Sequence, residues 1–205
     1  MISKELINLE IRKLNKFLGC QMITDHAGEI GAVYIYYGAK HSLIWKKYFI
    51  SKSNTIQLSS FIDHHLKSEQ NHLAFFEEIM PKEFHTNLKP FWIFSGYSLG
   101  YISMSVSPYF FYKTIEYVED FVVKHYNQQI HVMKQEKNTP NLQSILESFC
   151  EDEDEHRKQG LEFAQTLTKE SKNVYEYPYE YPMWKGIVQN GSKYATTISK
   201  LCKGF

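Results

Sequence analysis

Four glutamates and two histidines recur along this chain in a fixed order, each inside a stretch that reads as helix. They are Glu29, then Glu69-Gln-Asn-His72, then Glu119, then Glu153-Asp-Glu-His156. Three residues at about 100° each bring both members of a Glu-x-x-His pair onto one helix face. One Glu from each of two helices, with Glu-x-x-His from each of two others, is the ligand set of a dimetal site in a ferritin-like four-helix bundle. A single Glu-x-x-His match would carry little weight, because either residue pair arises readily by chance. The order carries the weight. Each lone Glu precedes its Glu-x-x-His by the length of a helical hairpin, so the chain reads as a degenerate two-fold repeat of one hairpin, and no heptad or solenoid period competes with it.

The bulk numbers set outer bounds. A chain of 205 residues can bury a core as one domain, 1–205, without staples. Lys plus Arg equals Asp plus Glu at 23 each, so no long-range field favours nucleic acid, and no basic stripe interleaved with aromatics suggests it. Cys20, Cys150 and Cys202 are widely spaced and form no Cys-x-x-Cys pattern; three ordinary thiols in a reducing compartment are expected. Glu5 and Glu10 among the first lysines, and no apolar run, match neither a secretory signal nor an Arg-rich transit peptide.

Apolar spacing predicts a short leading helix over 3–18, ended by Gly19, within a leading segment 1–20. Helices are then predicted at about 22–48, with Thr24 or Asp25 near the start, and at about 55–80, capped by Ser53 or Asn54 and stopped before Pro81. Further helices are predicted at about 113–136, 142–169 (after the turn Thr139-Pro-Asn141) and 183–202. Tyr175 to Pro182, alternating Tyr, Glu and Pro, reads as an extended connector. Strand signals are nearly absent. The expected class is all-α: a ferritin-like four-helix bundle core with additional amphipathic or interfacial helices.

Residues 90–112 contain no charge and are long enough to be a transmembrane candidate. Pro108 inside the stretch and Tyr or Trp rings spread along it fit an interfacial or semi-buried helix better than a span. A span would also put the two hairpins on opposite sides of a bilayer and make the dimetal site impossible. A membrane-contacting helix and a plain buried helix are the two readings left.

Carboxylate oxygens with two imidazoles suit iron or manganese, whereas zinc favours His and Cys in a closed tetrahedron. Four glutamates and two histidines nearly balance two divalent ions, which lets the group sit inside a helical core. Taken singly, Glu69, Glu119 and Glu153 read equally well as solvated charges. Glu116 rivals Glu119 from one turn earlier. Tyr126, two turns after Glu119, can approach the cluster or be a core tyrosine; His125 is rotated about 100° away and is the weaker candidate. Asp152 precedes a proposed ligand and could orient a metal-bound imidazole from outside. His26, His41, His64, His65, His85 and His131 have no carboxylate at ligand spacing and stay unassigned.

The strings Asp25-His-Ala-Gly-Glu-Ile-Gly-Ala32, Glu69-Gln-Asn-His-Leu73, Pro90-Phe-Trp92 with Gly96 and Leu99-Gly100, His125-Tyr-Asn-Gln-Gln-Ile130, Glu153-Asp-Glu-His156 and Ile187-Val-Gln-Asn-Gly191 resemble the demethoxyubiquinone hydroxylase family over about residues 22–202. The resemblance implies a diiron monooxygenase that uses O₂ to hydroxylate a demethoxyubiquinone or demethoxyubiquinol ring in ubiquinone biosynthesis. It implies iron ligands Glu29, Glu69, His72, Glu119, Glu153 and His156, which favours Glu119 over Glu116. It gives His125 and Tyr126 a part in moving electrons from NADH toward quinone and iron. It also implies a polyprenyl quinone substrate and peripheral contact of 90–112 with one leaflet. That leaflet would be the matrix face of the mitochondrial inner membrane in a eukaryote, or the cytoplasmic face of the cell membrane in a bacterium. A homo-oligomer or a ubiquinone-synthesis complex would be its assembly. The chain departs from the family pattern at Tyr34, at Ala39 and over Phe110-Phe-Tyr-Lys-Thr114, positions that bear on the substrate entrance more than on the ligands. Two further readings stand beside this one. A ferroxidase or manganese catalase on the same bundle would need no quinone, and a quinone- or lipid-binding scaffold would keep the fold without the chemistry.

Overall fold

The computed structural model describes residues 3–170 and 181–201. Among these residues every regular element is helical. In chain order they are α1 (Lys4–Arg12), α2 (Lys16–Lys46), α3 (Lys52–Ile79), a 3₁₀ turn (Lys82–Phe84), α4 (Lys89–Val106), α5 (Pro108–Glu136), α6 (Pro140–Glu170) and α7 (Pro182–Leu201). Helices α2, α3, α5 and α6 form the ferritin-like four-helix core; α4 lies along α2, and α7 packs against α2 and α5. α1 crosses one end of the bundle against α3 and α6.

Several boundaries differ from the sequence expectation, each for a local reason. The leading helix stops at Arg12, and the Asn15 side chain accepts the Leu18 N–H at 2.8 Å to start α2 six residues before position 22. Asn at this position satisfies one of the free N–H groups of a first helical turn. Gly19, read as a stop, is interior to α2, and a Cβ there would stand 3.0 Å from the Phe84 ring. Ser51, not Ser53 or Asn54, caps α3 by accepting the Asn54 N–H at 3.1 Å.

The uncharged 90–112 stretch is two helices, not one with Pro108 inside it. Ser107 is extended (φ −166°, ψ 159°) and its Oγ accepts the Phe110 N–H at 3.0 Å, while Pro108 is the first residue of α5. Proline pushes its predecessor out of helical geometry, and its missing N–H costs nothing at a helix start. α5 therefore begins at 108 rather than 113. Among the described residues no helix is long and apolar enough to cross a membrane. Most of the Tyr- and Pro-rich connector, and Cys202, lie outside the described residues. Cys20 and Cys150 are free and buried.

Two contacts fix the frame around the core. Between α2 and α4 the backbones touch: a Cβ on Gly96 would fall 2.2 Å from the Gly31 carbonyl oxygen, and one on Gly100 would fall 1.8 Å from that of Ile35. Only hydrogen fits at such a crossing. At the bundle end, the buried Glu10 of α1 accepts the Leu142 N–H at 2.8 Å and the Asn141 amide at 2.6 Å, capping α6 from another element.

The apolar interior has two layers. One is built from Tyr36, Phe61, Phe111, Tyr112 and their neighbours, the other from Ile11, Met22, Phe76, Tyr126, Met133 and Leu146. On all four core helices the candidate ligands lie in sequence between residues of the two layers. The polar groups form a slab with hydrophobic packing above and below.

Candidate metal centre

Each hairpin delivers its groups by helix periodicity alone. Glu69 and His72 share one face of α3, Glu153 and His156 share one face of α6, and Glu29 and Glu119 come from the middles of α2 and α5. All six are buried. Glu29, Glu69, His72 and Glu153 offer atoms that all lie within 4.8 Å of one another, and so do Glu69, Glu119, Glu153 and His156. The two sets share Glu69 and Glu153. Glu153 sits at the centre: its Oε1 is 3.0 Å from His72 Nδ1 and its Oε2 is 3.1 Å from His156 Nδ1. His156 Nδ1 is also 3.0 Å from Glu69 Oε1, and His72 Nδ1 is 3.7 Å from Glu29 Oε2.

Burial and mutual repulsion govern the charges here. Burial, with the neighbouring Glu153 and Glu69 charges, raises Glu29 well above the ordinary carboxylate range. Burial and Glu153 raise Glu69, and burial, Glu153 and Glu69 raise Glu119. Burial works against ionising Glu153 too, but hydrogen bonds from His156 and His72 outweigh it and hold that carboxyl below its usual range. The same contacts overcome burial at the imidazoles and raise His72 and His156 to about 10. Glu29 Oε2 and Glu69 Oε2 are buried with no hydrogen-bond partner among the described residues. Protons on the raised carboxyls and on the two imidazoles offset the charge here, and these are the protons that a bound cation would displace. The donor set, its orphaned oxygens and its two overlapping groups are of the kind that could hold metal.

The surrounding geometry bears on the alternatives left open by spacing. Glu116 lies apart from the cluster, 2.5 Å from Lys113 Nζ, whereas Glu119 joins it. The Tyr126 hydroxyl donates to Glu29 Oε1 at 2.6 Å, reaching across to the other hairpin. His72 Nε2 stands 3.1 Å from Asp152 Oδ2. His125 turns away from the cluster, with Nε2 3.0 Å from Asp25 Oδ1. Among the unassigned histidines, His26 accepts the Thr86 N–H at 3.0 Å and is a satisfied core residue in that sense.

Sequence reasoning missed three contributors. Gln129 donates to Asp25 Oδ1 at 2.9 Å, and Asp25 itself is buried. His65 is fully buried, stacked on Tyr36, with its ring 4.3 Å from that of His156. Burial and the His156 charge push it down to about 3, so it is a neutral ring. The available signal was helical: Asp25 lies one turn before Glu29, Gln129 one turn after His125, and His65 one turn before Glu69.

A cavity of about 490 Å³ opens onto this cluster between α2, α4, α5 and α7. Glu29, Glu69, Glu119 and Glu153 form its floor, and Leu99, Val118, Phe121, Ile187 and Val188 are among its apolar walls. It is large enough for a substituted aromatic ring with part of a chain.

The sequence matches the family described as "Ubiquinone biosynthesis protein COQ7" over residues 16–199. It is 28% identical over 180 residues to the NADPH-dependent 3-demethoxyubiquinone 3-hydroxylase, mitochondrial, of Bos taurus, spanning 86% of this chain and 74% of the relative. The Homo sapiens protein of that name is 27% identical with the same coverage, and the Dictyostelium discoideum one 28% identical over 164 residues, 78% of this chain and 72% of its own length. A match over most of the chain, on a four-helix core carrying the ordered Glu and Glu-x-x-His residues, places it: this chain belongs to the COQ7 family of ubiquinone biosynthesis proteins.

Proposed function

We propose that the chain is a monooxygenase that hydroxylates the ring of a demethoxyubiquinone or its quinol with O₂ in ubiquinone biosynthesis. The observation that carries this reading is the apolar cavity floored by two overlapping Glu/His sets. Glu29, Glu69, His72, Glu119, Glu153 and His156 would hold two iron ions. A pair of redox-active ions supplies the two-electron reduction of O₂ that no side chain performs.

The chain's own residues do the rest. Tyr126 fixes Glu29 through a buried hydrogen bond, and burial with the adjacent Glu29 charge keeps its hydroxyl protonated. Asp152 holds His72 by the nitrogen facing away from the cluster, which sets ring orientation and basicity. The cavity walls exclude water and seat the ring over the carboxylates. A ferroxidase or catalase has no use for so large an apolar chamber, which is why the quinone reading is preferred.

The polyprenyl tail calls for a lipid surface, and peripheral contact with one leaflet is proposed for the exposed side of α4. Phe91, Phe94, Ile102 and Val106 are exposed there, and beyond them, at the α2–α3 tip, so are Trp45, Tyr48 and Phe49. Lys40, Lys46, Lys47 and Lys52 accompany this tip, and residues 30–62 contain no acidic residue. Such a face suits an anionic leaflet. In a eukaryote this would be the matrix face of the mitochondrial inner membrane.

NADH is the proposed reductant; the named relatives are NADPH-dependent, so the test is run with each. Iron-loaded protein, reductant, ¹⁸O₂ and a short-tailed demethoxyquinone should yield product labelled in the ring hydroxyl. Unlabelled or absent product with both nucleotides, from protein carrying about two iron per chain as the dinuclear site requires, would refute the reading.

A further inference from the structure

Helices α2 and α5 meet at two polar contacts, one turn apart on α2 and made by neighbouring residues on α5. The first is Glu29 with Tyr126, at the metal cluster. The second is Asp25 with His125, at the cavity wall. Asp25 is 4% exposed, accepts from Gln129 Nε2 at 2.9 Å, and has an Oδ2 without a hydrogen-bond partner among the described residues. His125 Nε2 stands 3.0 Å from Asp25 Oδ1, at ion-pair distance but out of line for a hydrogen bond in this arrangement, and the ring lies nearly parallel to that of Phe121, with centroids 6.0 Å apart. Nδ1, on the opposite side of the imidazole, makes no hydrogen bond among the described residues. A carboxylate this close to one nitrogen favours the proton there and leaves the other as an acceptor, once a small ring rotation aligns the pair.

We propose that Asp25 and His125 form a general-base pair for the substrate ring, with His125 as the catalytic residue and Asp25 as its positioning residue. The inference rests on the hydroxylase reading for the identity of the ring and adds a step to it. The O–H bond of the bound quinol breaks, its proton passes to His125 Nδ1, and its electron pair stays on the ring oxygen. No electron leaves the substrate in this step. The resulting phenolate is richer at the ring carbon that must be attacked, and Asp25 stabilises the imidazolium that forms. The proton is returned toward the water that monooxygenation produces, the two reducing equivalents coming from the nicotinamide.

The surroundings suit this task. The described parts of α4 and α7 that line the cavity bring no charged side chain; their polar groups are Ser95, Ser192, Thr196, Tyr194 and the Trp92 indole, which donates to Thr86. Besides Asp25 and His125, the titratable groups that line the cavity are Glu29, Glu69, Glu119 and Glu153 at its floor, Tyr126, which is committed to Glu29, and the exposed Tyr194 on α7. Among all of them, His125 is the one with a free acceptor nitrogen on the wall rather than in the metal cluster.

The test reads proton transfer apart from hydroxylation. Metal-free protein is titrated with a chromogenic nitrophenol bearing a methoxy group and a short isoprenyl tail, and the phenolate band is followed against pH. Binding to the wild type should lower the phenol's apparent pKa by about one unit, roughly tenfold more phenolate at a given pH. His125→Gln should abolish the shift, Asp25→Asn should remove most of it, and Asp25→Glu should restore part. In iron-loaded enzyme, His125→Gln should lower kcat on the order of 10²-fold with KM little changed. The acid limb of the kcat–pH profile should flatten with it. A phenolate band that survives His125→Gln in protein with wild-type circular dichroism overturns the pair, as does a wild type that binds the phenol without ionising it. If the wild type ionises the phenol yet makes no ¹⁸O product, the hydroxylase reading fails and the pair stands. If product forms and the band never appears, the pair fails and the hydroxylase stands.

Discussion

The two hairpins bring matching groups to the slab and surround them differently. On the α2–α3 side, Glu29 takes a hydrogen bond from Tyr126, and His72 is backed by Asp152, whose side chain is 51% exposed. On the α5–α6 side, no described carboxylate or hydroxyl backs Glu119 and His156 in that way. His156 instead meets the neutral ring of His65, itself packed against Phe61 and Tyr36. One half is braced by charge and reaches solvent; the other is braced by rings and is dry. On the proposed two-iron reading, a duplicated ligand pattern would therefore give two unequal cation positions. The Glu29–His72 position has the extra anion, so it should fill first when metal is added.

The shared residues offer the most severe break. Glu69→Ala or Glu153→Ala removes a group common to both sets, so metal content should fall from about two per chain to near zero and hydroxylation to background. Glu29→Ala and Glu119→Ala each strip one position and should leave about one ion per chain by the same ligand logic. Metal analysis after anaerobic loading separates the two classes. Equal loss from all four variants would show that the positions are not distinct.

Asp152 sharpens the comparison, because it braces one half only. Asp152→Ala frees His72 Nε2 and should weaken the Glu29–His72 position about 10- to 100-fold, the usual cost of losing such a partner. The other position should be unmoved. In a stepwise titration the filling order should then invert, which a colorimetric competition assay would reveal. An unchanged first step would mean that the carboxylate is only a surface neighbour.

How far the sequence reached follows the same division between local and distant. The ordered glutamates and the Glu-x-x-His pairs were readable because three-residue spacing on a helix is local geometry. Helix ends were readable in principle: Asn15 is a good cap, and Ser107-Pro108 is a strong restart. Gly19 misled because a glycine that makes room for a ring looks the same in sequence as one that ends a helix. The contacts that finish the site were not readable. Asp25 and Gln129 lie on different helices, as do Tyr126 and Glu29, and Glu10 and Leu142. Nothing in residue spacing says which turn of one helix will face which turn of another. The backbone contact of Gly100 with Ile35 decides the α2–α4 register in the same hidden way.

The smallest expected effect comes from Tyr126, and its sign depends on metal. The hydroxyl donates at 2.6 Å to a carboxylate that is 3% exposed, so no water can easily replace it in Tyr126→Phe. An acceptor left buried without a donor costs about 1–3 kcal/mol. For a chain of this size each kcal/mol is worth roughly 2–4 °C of Tm. That loss should appear in the metal-free protein. With a cation bound beside Glu29, the carboxylate has another partner, and part of the loss should vanish. The Tm difference between wild type and Tyr126→Phe should therefore shrink on loading, while Phe76→Ala, a cavity in the apolar layer, should cost the same in both forms. A Tyr126→Phe penalty that ignores metal would mean that Tyr126 packs the core and does not brace the cluster.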